Sequence, residues 1–165
     1  MSVYFQKRNE VNVRDLPRIH ATNKGIVMSK EIKFTVYGEP TAKGRPRMGK
    51  WGAYTPEKTV RYEELVKFSY LQTERHRFTD GEALVIRLDI FMSIPKSASK
   101  KKAEMMRSGE IRPTKKPDWD NFGKCLADAL NSLAYTDDSQ IVSANVEKWY
   151  SDEPRAEVLI KEIER

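Results

Sequence analysis

The chain of 165 residues, 33% charged and 39% hydrophobic, fits one globular domain with a real core and is too short for two. Its formal net charge of +6 favours polyanionic partners and leaves the fold open. A single cysteine, Cys125, excludes an intrachain disulfide and points to a reducing compartment; His20 and His76 lie far from it, which excludes zinc-type spacing.

Residues 1–29 are polar, mixed in charge and interrupted by Pro17 and Gly25, which predicts an accessory extension ahead of one domain over 30–165. Ile32, Phe34 and Val36 then alternate with Lys33, Thr35 and Tyr37, a half-buried strand ending at Gly38. The stretch EPTAKGRPRMGKWGAYTP follows, a turn-rich loop carrying Lys43, Arg45, Arg47 and Lys50. Thr55-Pro56 has the form of a helix start, with a helix expected over 57–75 and Val60, Leu65, Phe68 and Leu71 close to one face. Alternation from Leu84 to Met92 predicts a long strand stopped by Pro95. Ser97 or Ser99 opens a short basic helix through Arg107, closed by Gly109. Pro113 and Pro117 bracket an extended connector, and residues 118–132 carry the best helical pattern. Val142, Ala144 and Val146 mark a further strand, and Glu153-Pro154 the turn before a last one over 156–163. The order β–α–β–α–α–β–β predicts an α+β (mixed α/β) domain: a small mixed sheet with helices packed on it. No run approaches a membrane span and the N-terminus lacks the apolar core of a signal peptide, so a cytoplasmic protein without membrane contact is expected.

Charge is unevenly spread. Residues 96–116 hold eight basic residues against Glu104 and Glu110, a local net of +6, whereas 137–165 hold eight acidic against four basic, a net of −4. The positive block therefore ends directly before Asp118.

The stretch KPDWDNFGKCLADALNSLAYTDDSQ carries the chemistry. Trp119, Phe122, Leu126, Ala129, Leu130 and Leu133 fall at helical spacing and are expected to be buried, with Cys125 a small packing residue among them. Asp120, Lys124 and Asp128 run along a polar face, Asp118 stands at the N-cap position, and Asp137-Asp138 follows the helix. One reading is local: a cap, an i,i+4 ion pair worth a few tenths of a kcal/mol and a solvated acidic turn. The other lets Asp118, Asp120 and Asp138 converge on one or two Mg²⁺ ions, with Lys124 beside them for a phosphate, as in phosphodiester hydrolysis. The basic approach segment favours the second.

The same stretch closely resembles the signature of the RusA-type Holliday-junction resolvases. YGEPTAKGRPRMGKWGAYTPEKTVRYEELV resembles that family's N-terminal part, so the likeness covers about residues 31–160. By position, the resemblance implies Asp118, Asp120, Lys124 and Asp138 as the catalytic set, with Asp137 and Asn121 supporting. It also implies Mg²⁺ or Mn²⁺ as cofactor, a homodimer with one active site per subunit, and paired cuts in a four-way DNA junction during recombination and repair. The N-terminal extension and Gly123 inside the helix depart from the family pattern.

Lys43, Arg45, Arg47, Lys100, Lys101, Lys102, Lys115 and Lys116 are the candidate DNA phosphate contacts, with Trp51 and Tyr54 available to stack on bases. Two alternatives remain open: a non-catalytic, structure-selective DNA-binding protein, and a Mg²⁺-dependent nuclease acting on flaps or forks.

Overall fold

The computed structural model describes residues 30–50, 52–73 and 76–163; the expected extension over 1–29 and Trp51 lie outside the described residues. In chain order the elements are β1 (Glu31–Tyr37), β2 (Arg47–Gly49), β3 (Gly52–Tyr54), α1 (Glu57–Leu71), β4 (Leu84–Ser93), α2 (Lys100–Arg107), α3 (Trp119–Leu130), β5 (Ile141–Ser151) and β6 (Arg155–Glu162). The predicted order is recovered with one addition. The basic loop folds back as the β2–β3 hairpin, closed by Gly49 opposite Gly52, whose φ of 112° only glycine adopts without strain.

Four strands form one mixed sheet in the order β1-β6-β4-β5. β1 and β4 both pair antiparallel with β6, whereas β4 and β5 run parallel, from Leu84 opposite Ile141 to Ser93 opposite Ser151. A parallel pair cannot be closed by a hairpin, so the chain crosses over between its members through α2, a connector and α3. Helix α3 then descends as β5 ascends. Lys148, near the top of β5, reaches the carbonyl of Pro117 just before α3, and a Cβ on Gly123 would lie 3.5 Å from Val146 lower down. The C-terminal ends of β4 and β5 are called the upper end below.

The core lies between the sheet and the helices α1 and α3. Ile32, Phe34 and Val36, Leu84 to Ile90 at alternate positions, and Ala156, Val158 and Ile160 meet Tyr62, Val66 and Tyr70 of α1 and Phe122, Leu126 and Leu130 of α3. Phe34 and Tyr70 pack edge to face with centroids 5.9 Å apart.

Helix α1 differs from expectation in face and in length. Val60, Leu65, Phe68 and Leu71 lie on its outer side, Phe68 at 61% exposure, while Thr59, Tyr62, Val66 and Tyr70 are buried. Apolar groups are present on both sides of this helix, and two tyrosines bury their rings on the side that looks more polar. The helix stops at Leu71 because the Tyr70 carbonyl accepts from both the amide and the hydroxyl of Thr73, at 3.0 and 2.7 Å. At its start Pro56 occupies the cap position and no side chain caps the helix.

These faces predict opposite outcomes for two phenylalanines. Phe122→Ala should cost about 3–5 kcal/mol in urea unfolding, as for a buried aromatic, whereas Phe68→Ala should stay within about 0.5 kcal/mol. Gly123→Ala, which meets Val146 only at ordinary contact distance, should raise stability by up to about 1 kcal/mol.

Candidate active site at the head of α3

Asp118 occupies the N-cap of α3 with extended backbone (φ −73°, ψ 151°), yet its carboxylate accepts no bond from the helix amides. Asp120, in the first turn, receives a single 3.4 Å contact from the Asn121 amide. Lys124 stands exposed one turn on. None of these three, nor Asp138, forms an ion pair within 4.0 Å with any described residue. The local reading, a cap plus an Asp120–Lys124 bridge, is therefore not what the side chains do. Two carboxylates and an ammonium are left uncompensated at the end of the helix whose dipole favours negative charge. Trp119, expected in the core, is 60% exposed between the two acids. Helical spacing gives the side of a residue, and at the first turn none of the described residues covers that side.

The approach to Asp118 is held from β5. The Lys148 ammonium donates to the carbonyls of Lys115 and Pro117, both at 3.0 Å, across the cis Lys116–Pro117 peptide. Arg112 donates through Nε to the Lys148 carbonyl at 2.6 Å and through Nη2 to Glu147 at 3.2 Å, with its guanidinium 3.2 Å from the centre of the Trp149 ring. Gly109 packs so closely on Trp149 that a Cβ would come within 3.0 Å of the indole. Arg107 grips Asp152 at 2.7 and 3.0 Å and fixes the end of α2 to the β5–β6 turn. Lys115 and Lys116 are thereby exposed beside Asp118, and Lys100, Lys101 and Lys102 are exposed in the first turn of α2. Lys148 and Arg112 were not singled out in the sequence. The only hint was a connector flanked by prolines, which lack amide donors and leave carbonyls for a side chain to gather.

On the other flank, the Lys43 amide donates to the Asn121 carbonyl at 2.8 Å, tying the basic loop to the first turn of α3. Its ammonium bonds Glu63 of α1 and, at 2.9 Å, Asp128 of α3. Partial burial alone would lower the Lys43 pKa, but the hydrogen bonds its ammonium donates to the two carboxylates outweigh it and hold the pKa above the ordinary lysine value. Lys43, expected to contact phosphate, is thus committed to protein carboxylates, as is Asp128. Arg45 and Arg47 remain exposed at the base of the hairpin. Cys125 is buried beneath, and burial first, then the nearby Glu63, pushes its thiol up to about 12, so it packs as an inert group.

Asp138 lies at the other end of the sheet. The loop after α3 closes at once: Ala134 donates to the Leu130 carbonyl at 2.9 Å and the Tyr135 hydroxyl to that of Ala127 at 2.8 Å. Asp137 caps the single 3₁₀ turn Asp138–Gln140 by accepting from Ser139 at 2.9 Å, and these bonds hold its carboxyl below the usual range. Gln140 anchors the turn to the carbonyls of Thr79 and Glu82, at 2.7 and 3.2 Å. Asp138 is left exposed and unpaired. Helix α3, with 12 residues, carries the chain about 18 Å downward. Only β5 brings it back: from Ile141 to Lys148 is seven residues, roughly 23 Å of strand. The expected convergence of Asp118, Asp120 and Asp138 is therefore not met within one chain, and no three Asp, Glu, His or Cys residues gather to hold a metal among the described residues.

Residues 37–161 match the family model of endodeoxyribonuclease RusA. The chain belongs to the RusA family. It is also 44% identical over 138 residues to the uncharacterized protein YqaN of Bacillus subtilis (strain 168), an alignment covering 80% of this chain and 96% of that relative. The RusA match runs from the last residue of β1 almost to the end of β6, so it takes in every candidate site residue and leaves 1–29 outside. As a member of the RusA endodeoxyribonucleases the chain is a nuclease.

The Lys43 strut has a measurable cost. Lys43→Met leaves Glu63 and Asp128 facing each other and should lower stability by about 1–3 kcal/mol at neutral pH. Because the folded pKa of Lys43 is raised, its contribution is complete below about pH 10 and disappears as the pH rises through the folded value. Urea titrations of both proteins across pH 7–11 measure this.

Proposed function

We propose that this chain cuts branched DNA, four-way junctions above all, by metal-assisted hydrolysis of phosphodiester bonds at the head of α3, in recombination and repair. The observation that carries the reading is the uncompensated set Asp118, Asp120 and Lys124 at the head of α3, beside exposed Lys115 and Lys116. Asp118 and Asp120 offer hard oxygen donors with no protein cation competing. That pair fits Mg²⁺, or Mn²⁺ in its place, since such ions are held by one or two carboxylates together with waters and substrate phosphate. Bound there, the ion would polarise the scissile phosphate and activate the attacking water.

The protein's own groups do the rest. Lys124 neutralises charge that grows on the phosphoryl oxygens. Lys115, Lys116, Arg45, Arg47 and Lys100 to Lys102 hold the sugar–phosphate backbone, which positions DNA without reading sequence. Trp119, exposed between the acids, offers a ring on which an unpaired base at a branch can stack. Resolving a junction takes two symmetric cuts, so the proposed assembly is a homodimer with a two-fold axis.

The test is a labelled mobile four-way junction incubated with Mg²⁺ or EDTA, beside matched duplex and flap. Paired, metal-dependent nicks confined to the junction are expected. Asp118→Asn should reduce cleavage at least about 100-fold while junction binding in EDTA is retained. Preferential cutting of flaps would keep the site and change the substrate; binding without any cut would leave a DNA-binding protein. Lys115→Ala and Lys116→Ala should each lower the slope of log affinity against log salt by about one.

A further inference from the structure

In β5 the side chains of Val146 and Lys148 leave the same side of the sheet, the side that faces α3. Val146 packs against the core there and meets α3 beside Gly123; two residues on, the strand places an ammonium instead of an apolar group. That ammonium donates to the carbonyls of Lys115 and Pro117, both at 3.0 Å, and the carbonyl of the same residue accepts from Arg112 Nε at 2.6 Å. One residue therefore clamps both ends of the connector over 112–117. Arg112 is itself seated, on Glu147 at 3.2 Å and over the Trp149 ring. No carboxylate lies within 4.0 Å of the Lys148 ammonium among the described residues. A half-buried cation whose bonds go to neutral carbonyls is a costly way to close a loop.

The place of those carbonyls explains it. The Pro117 carbonyl belongs to the peptide that joins Pro117 to Asp118, which is a rigid plane. Asp118 is the N-cap of α3, so the helix holds it from its carbonyl side, where the first helical bond is accepted. Its carboxylate takes no bond from the helix amides, which leaves the direction of the side chain to the backbone. The freedom that remains lies on the amide side of Asp118, and the bond from Lys148 to Pro117 removes it. We propose that Lys148, seated by Arg112, is the positioning residue of this site: it sets the direction in which Asp118 projects, and with it the geometry of the Asp118 and Asp120 pair toward the metal. It acts through the connector and touches neither metal nor DNA. A cation at this point, in place of a neutral donor, suits the two acids that follow Pro117 so closely. The inference rests on the nuclease reading above and deepens it.

Three measurements on the full chain decide it, with Lys148→Met and Lys148→Arg beside the wild type. Mn²⁺ binding without DNA is followed by loss of the free-ion electron paramagnetic resonance signal. Cleavage of a labelled four-way junction is measured in single turnover against Mg²⁺ concentration, and junction binding in EDTA against salt. Lys148→Met keeps the stem and loses the donors, and should weaken Mn²⁺ binding about 10-fold and slow cleavage about 10–100-fold. Its salt slope should stay that of the wild type, because Lys115 and Lys116 keep their charges. Lys148→Arg, whose fork can reach two carbonyls with the charge kept, should restore both binding and cleavage. A folded Lys148→Met with wild-type Mn²⁺ affinity and cleavage rate, whatever its stability, overturns the inference and leaves the nuclease reading standing. A salt slope lower by about one would also overturn it, by making Lys148 a phosphate contact. Should Lys148→Met not fold, Arg112→Leu releases the other end of the connector and must move Mn²⁺ affinity and rate in the same direction; unchanged values there overturn the inference equally. A wild type that cuts no branched DNA, or Mn²⁺ binding undiminished in Asp118→Asn, would instead sink the nuclease reading itself.

Discussion

The parallel pairing of β4 with β5 is the constraint from which the rest of the molecule follows. Two parallel strands need a crossover, and the crossover here is α2, the connector and α3. As β5 must rise beside β4, α3 must descend, and its N-terminus with the positive end of the helix dipole stands at the C-terminal ends of the strands. Open sheets bind ligands at that end for the same reason. The basic loop after β1 and the basic helix α2 are delivered there too, because β1 ends opposite Arg155 and Arg155 faces Phe91 near the top of β4.

Charges divide into two populations. Those that hold the scaffold are paired: Lys43 with Glu63 and Asp128, Arg107 with Asp152, Arg112 with Glu147, and Lys30 with Glu82. These contacts fix the loop before α1, the end of α2, the connector and the start of β1. Asp118, Asp120, Lys124 and Asp138 take no such part. Like charges brought close without a counterion destabilise a fold, so acids left unpaired beside a basic surface are better explained by a ligand than by stability. The family to which the chain belongs agrees in the class of ligand, DNA.

Strands were the most legible elements, since Ile32, Phe34 and Val36, and Leu84 through Ile90, alternate without interruption. The α+β class followed from their order. What failed was cover and distance. Trp119 shares the helical side of Phe122 and Leu126 but lies beyond the described residues that bury them. In α1, Tyr62 and Tyr70 turn inward against the more obviously apolar Val60 and Phe68; the Tyr70 hydroxyl donates to the His76 carbonyl, whereas that of Tyr62 is buried without a partner among the described residues. The acids at 118, 120 and 138 were legible as a set from their types and the basic segment before them, and from the resemblance; their separation was not, as it depends on α3 and β5 running in opposite directions. Lys43 and Lys148 illustrate a second limit, since a lysine in a basic stretch gives no sign that its partners are carboxylates on two helices or the carbonyls of a connector.

A crystal of the full chain soaked in Mn²⁺ and measured at the manganese absorption edge bears most directly on the central claim. The account predicts an anomalous peak at Asp118 and Asp120, at the head of α3. Manganese bound elsewhere, away from Asp118 and Asp120, would contradict it.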